Sequence, residues 1–156
     1  MIILGLDPGI ARTGYGVVDT AQKHQFVRCG CISTPKSDSL EVRLASVASD
    51  LTQIIRESRP DTAVVEQIFF GANAKTAITT AHVRGVIMYL LQIHNIPIQT
   101  LTPLQIKSRL TGYGAASKEQ MQQAIKQQLH LTHIPKPDDA ADALAAALSA
   151  IQTRTL

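Results

Sequence analysis

Ile2, Leu4 and Leu6 alternate with Ile3, Gly5 and Asp7 at the head of the chain, the period-two pattern of a strand, and the run ends on an acid. The Gly-rich stretch Pro8-Gly9-Ile10-Ala11-Arg12-Thr13-Gly14 predicts a turn. A second strand is expected over Tyr15 to Asp19 and a third over Phe26 to Ile32, which makes an antiparallel meander. Cys29 and Cys31 fall two apart on the third strand, on one face with Val27, and are expected as buried thiols.

Beyond residue 38 the period changes. Asp38 with Glu41 resembles a helix-capping pair, and Leu40, Leu44, Val47, Leu51, Ile54 and Ile55 follow at helical spacing. Pro60-Asp61 stops that helix, and Thr62 to Glu66 predicts a short buried strand that also ends on an acid. A long helix is expected over 72–94, with Thr79, Val83, Val86, Leu90 and Ile93 on one stripe. Small residues at Ala74, Ala77, Ala81 and Gly85 form another stripe, which would let a second helix approach closely. Pro97 to Leu101 predicts a strand, and Thr102-Pro103-Leu104-Gln105 starts a short helix with Pro at its first position. Ser117-Lys118-Glu119-Gln120 is a capping box, and Pro137-Asp138 opens a last helix reaching about Gln152, with Asp138 suited to the N-cap.

The order β-β-β-α-β-α-β-α-α-α predicts a mixed sheet with helices on both faces, an α/β architecture of the ribonuclease-H-like kind. No repeat, low-complexity tract or Gly/Ser linker divides residues 1–156, so one domain is expected. With 45% hydrophobic and 17% charged residues the composition excludes a disordered chain. No apolar run approaches the roughly 20 residues of a membrane span. The apolar start lacks a basic lead-in and meets Asp7, which excludes a signal peptide and predicts a cytoplasmic protein.

Acids stand where apolar runs would not choose them. Asp7 and Glu66 each end a strand, while Asp139 and Asp142 sit three apart in the first turn of an Ala-rich helix and so face one way. If the strands are neighbours and the helix crosses their ends, four carboxylates converge, an arrangement that calls for bound cations or raised pKa values. Oxygen ligands of this kind suit Mg²⁺ or Mn²⁺. Each acid also has a plain structural reading: a turn at Asp7-Pro8-Gly9, a surface strand end at Glu66, dipole capping at the last helix. Four of the 12 acidic residues belong to this candidate site, which leaves eight against 15 Lys and Arg. A basic surface around an acidic pocket suits an enzyme that holds a polyanion and cuts it with cations.

Gly5-Leu6-Asp7-Pro8-Gly9 with Thr13-Gly14-Tyr15-Gly16, Val65-Glu66-Gln67 followed by Phe69, and Arg84-Gly85-Val86 resemble the RuvC family of crossover-junction endonucleases. So do Thr111-Gly112-Tyr113-Gly114 with Lys118-Glu119-Gln120-Met121-Gln122, and Asp139-Ala140-Ala141-Asp142-Ala143-Leu144. The resemblance implies that Asp7, Glu66, Asp139 and Asp142 are catalytic and bind metal. Two Mg²⁺ ions per subunit about 4 Å apart, with Mn²⁺ able to substitute, would flank one phosphate. It further implies that Lys107 and Lys118 lie by the scissile phosphate and that Phe69 stacks on a base near the cut; Phe70 is expected in the core. The expected substrate is four-way (Holliday) junction DNA, nicked in pairs by a homodimer to leave 5′ phosphates. The RuvA–RuvB branch-migration complex is the implied partner. A sugar kinase of the actin-like superfamily also begins with Asp-x-Gly, but needs a second domain and a second phosphate-binding Gly motif.

Overall fold

The computed structural model describes residues 1–21, 25–68 and 74–150. Alternation in the N-terminal third yields β1 (Ile2–Asp7), β2 (Arg12–Asp19) and β3 (Gln25–Ser33). The chain continues through α1 (Leu40–Ser58), β4 (Thr62–Glu66), α2 (Ala74–Ile93), β5 (Ile98–Leu101), α3 (Pro103–Thr111), α4 (Lys118–Gln128) and α5 (Asp138–Ser149), the expected order. Among these residues no helix is long and apolar enough to cross a membrane.

The five strands lie in the order β3-β2-β1-β4-β5, antiparallel from β1 through β3 and parallel across β1, β4 and β5. Period-two alternation gives the sheet two apolar faces. Ile3, Val18, Val64 and Leu101 pack beneath α3, α4 and α5, while Leu4, Leu6, Val17, Ala63 and Val65 pack beneath α1 and α2. Each fully buried Leu or Ile in these layers contributes roughly 1.5–3 kcal/mol.

α5 is the central helix although it carries almost no bulk. Ala140, Ala141 and every residue from Ala143 to Ser149 are buried. Smallness is required because the helix backbone rests on the sheet backbone. A Cβ built on Gly5 would lie 1.9 Å from the Ala143 carbonyl oxygen, and one on Gly14 would lie 2.0 Å from that of Asp139. On Gly16 it would meet Leu144 at 2.8 Å.

Several local expectations need correction. Ser39, not Asp38, is the residue before α1, and no side chain caps that end. Pro137 precedes α5, so Asp138 is its first helical residue; its carboxylate instead accepts a hydrogen bond from Lys118. Val27 is 46% exposed and does not share a buried face with the half-buried Cys29 and Cys31. The register slips between Val17 and Val18, which pair with Arg28 and Phe26, so Val27 is an extra residue that breaks the alternation. On α2 the buried residues are Ala77, Val83, Ile87, Leu90 and Leu91, whereas Ile93 is exposed. That helix is apolar on both sides, and periodicity alone could not choose which side faces the sheet.

Candidate active site

β1 and β4 run parallel, and Leu6 pairs with Val65. The next residue of each strand, Asp7 and Glu66, therefore leaves the same end of two adjacent strands. Above them lies the start of α5, seated on Gly14, whose first turn supplies Asp139 and whose second supplies Asp142. Asp7, Glu66 and Asp142 line one cavity of about 280 Å³ together with Lys107 from α3 and Lys118 from α4. Pro103, Ile106, Met121 and Ala145 complete its wall, so carboxylates face a largely apolar lining.

Burial and mutual repulsion dominate the electrostatics. Asp7 is pushed up to about 7, first by burial and then by Glu66, Asp142 and Asp139, with Lys118 opposing. Glu66 rises to about 7 through burial and then Asp142, with Lys107 opposing. Asp142 is also raised, chiefly by burial, against the pull of Lys118 and Lys107. Three of the sequence-predicted acids thus share the cavity with both predicted lysines, while Asp139 stands outside its lining but near enough to raise Asp7. Phe69 and Phe70 lie outside the described residues.

The set suits a hard divalent cation, being made of carboxylate oxygens alone. Asp139 Oδ2 is buried, and among the described residues none donates a hydrogen bond to it. Arg12 Nε lies 3.1 Å from that oxygen, a charge contact without hydrogen-bond alignment. Among the described residues no three acids already stand close enough to clasp one ion. A cation drawn between them would offset their mutual repulsion.

The raised pKa values carry a stability consequence. A folded pKa above the unfolded value means that the native state binds protons more tightly, so stability falls as pH rises from about 4 to about 7. In chelator, melting of the protein is expected to fall relative to an Asp7→Asn variant between pH 5 and 8. Millimolar Mg²⁺ should close the gap. A pH-independent difference between the two melting temperatures would contradict the coupling.

Two neighbours of the site were not foreseen from sequence. Lys118 Nζ is 2.7 Å from Asp138 Oδ2, whose Oδ1 accepts from Gln122 at 3.4 Å, so Asp138 is a partner of the lysine rather than a helix cap. Arg12 reaches Asp139 from the first residue of β2. Neither contact has a local sequence signal, because the partners lie 20 and 127 positions apart.

A mixed sheet with acids at the ends of its central parallel strands, crossed by an acid-bearing helix and flanked by lysines, defines a phosphodiester-cleaving enzyme of the ribonuclease-H-like class. The family model described as crossover junction endodeoxyribonuclease RuvC matches residues 3–150, and the chain belongs to that family. It is 45% identical over 149 residues to the RuvC of Alkaliphilus oremlandii, covering 95% of this chain and 91% of the relative. Against the RuvC of Parasynechococcus marenigrum it is 47% identical over 150 residues, covering 96% and 97%. Thermus thermophilus RuvC in complex with a Holliday junction substrate superposes with a TM-score of 0.93 at 28% identity, covering 98% of this chain and 94% of that one. The yeast mitochondrial Holliday junction resolvase Ydc2, at 14% identity and a TM-score of 0.68 over 96% of this chain and 78% of that one, shares the fold.

Proposed function

We propose that this protein resolves four-way DNA junctions in recombination and repair by paired symmetric nicks, with Asp7, Glu66, Asp139 and Asp142 holding divalent metal. The observation that supports the reading most is the convergence of Asp7, Glu66 and Asp142, the first two raised to about 7, beside Lys107 and Lys118 in one cavity, with Asp139 near enough to act on Asp7. These oxygen ligands would hold Mg²⁺, two ions per subunit, with Mn²⁺ able to substitute; bound there, the cations would supply an activated water and offset charge on the departing 3′ oxygen.

The chain's own groups do the rest. The four acids position the cations, and Lys107 and Lys118 hold the scissile phosphate and its developing charge. Phe69 stacks on a base beside the cut, where ring–base stacking contributes about 1–3 kcal/mol. The products carry 5′ phosphates and 3′ hydroxyls, ready for ligation.

A homodimer supplies two sites related by a two-fold axis, matching a junction of the same symmetry. Ile78, Met88, Tyr89 and Ile93 on α2 are 37–64% exposed, and Ala81 and Gly85 are exposed beside them. This apolar helix face, with small residues that permit close approach, is the interface. The RuvA–RuvB complex delivers the junction, and the setting is the cytoplasm.

The test is a synthetic four-way junction incubated with and without Mg²⁺, both nick positions being mapped. Symmetric paired nicks that need the metal are expected, slowed in Phe69→Ala while its melting temperature holds. Binding should prefer the junction to linear duplex and weaken steeply with salt. Six or more phosphate contacts imply roughly a thousandfold loss of affinity between 50 and 200 mM. Equal affinity for linear duplex at moderate salt would overturn the junction reading and leave a general nuclease.

A further inference from the structure

We propose that Arg12 is a built-in counter-cation for the metal site, holding Asp139 until a divalent ion takes that carboxylate, so that removing it tightens metal binding. The inference rests on the metal-holding reading above.

Both ends of the Arg12–Asp139 contact are anchored. Thr13 Oγ1 donates to the Gly9 carbonyl at 2.8 Å, and Arg43 Nη2 donates to the Ile10 carbonyl at 3.2 Å. Arg43 Nε also donates to Thr34 Oγ1 at 2.8 Å, and that hydroxyl in turn donates to the Ile10 carbonyl. The Thr34 amide donates to the Ala11 carbonyl at 3.2 Å. These bonds fix the turn before Arg12. On the other side, the Asp139 backbone rests against Gly14, two residues along the same strand.

Between these anchors the side-chain contact is loose. The Arg12 side chain is 57% exposed and that of Asp139 23%, and Nε approaches Oδ2 at 3.1 Å without hydrogen-bond alignment. Arg12 also differs from the other two cations. Lys107 and Lys118 line the cavity itself, and Lys118 is bonded to Asp138. Arg12 is outside that lining and reaches Asp139 from the rim. An exposed ion pair competes weakly with a divalent cation, by about three- to fivefold in affinity. That is enough to balance the acid's charge before loading without blocking the metal.

The experiment is calorimetric titration of Mn²⁺, without DNA, into wild type, Arg12→Gln, Arg12→Lys and Lys136→Gln. Lys136, like Arg12, lends charge to Asp138, but among the described residues it forms no ion pair with Asp139, so it controls for net charge near the site. Arg12→Gln should bind Mn²⁺ about three- to fivefold tighter, Arg12→Lys should stay nearer wild type, and Lys136→Gln should change little. In an Asp139→Asn background the Arg12 effect should vanish. In chelator, Arg12→Gln should melt below wild type and gain more from added Mn²⁺. Unchanged or weaker Mn²⁺ binding by Arg12→Gln, or equal tightening by Lys136→Gln, would overturn the inference while the metal reading stands. A wild type with no saturable Mn²⁺ binding would overturn the metal reading itself.

Discussion

Replacing any one of Asp7, Glu66, Asp139 or Asp142 by its amide is expected to slow junction cleavage on the order of a thousandfold or more, with junction affinity retained. Loss of one carboxylate would loosen the cation that offsets charge at the reacting phosphate, and about 4 kcal/mol of lost stabilisation corresponds to a thousandfold. Affinity should hold because it comes from many basic contacts, and removing a negative charge from the cavity opposes none of them. Asp138→Asn is the informative neighbour. It loses only a solvent-screened ion pair with Lys118 and should remain largely active. Single-turnover cleavage beside a gel-shift titration checks all five variants. Full activity in any of the first four would remove that residue from the site.

Gly14→Ala is expected to damage stability and catalysis together. The added methyl would stand 2.0 Å from the Asp139 carbonyl oxygen and 3.2 Å from its Cβ. Helix backbone cannot step aside as a flexible side chain would, so α5 must lift or β2 must bend. Overpacking of this kind costs about 1–3 kcal/mol, occasionally more. The same displacement carries Asp139 and Asp142 away from Asp7 and Glu66, and a shift of about 1 Å at a reacting centre can cost a hundredfold in rate. Thermal melting and cleavage at a temperature where the variant remains folded separate the two losses. A variant that melts and cuts as wild type would show that α5 does not depend on this saddle.

The element order was legible in the strand alternation and helical spacing, and the acids stood out because each interrupts or ends an apolar pattern, though only the family resemblance implied their common role. Asp7 and Glu66 end alternating or buried runs, and Asp139 and Asp142 break an alanine helix at one-turn spacing. The purpose of the glycines was not legible. Gly5, Gly14 and Gly16 fall within strand patterns, and only the three-dimensional crossing of α5 shows that they make room for a helix. The β3 bulge hid the exposure of Val27, and the two apolar sides of α2 hid which one is buried. Arg12 and Asp138 were missed as contacts because charged residues after a turn, or before a helix, have many possible partners in one dimension.

The distance in sequence between the acids, from position 7 to position 142, has a consequence for when the protein becomes dangerous. β1 is made first and forms the middle of the sheet, yet the helix that completes the cluster over it is the last one described. A nascent chain on the ribosome that has not yet released α5 holds only half a blade. On the proposed assignment of the acids, fraying of α5 from its glycine saddle would disarm the enzyme by the same route. A copy in which α5 has not seated would then lack two of its four metal-holding carboxylates and leave DNA uncut.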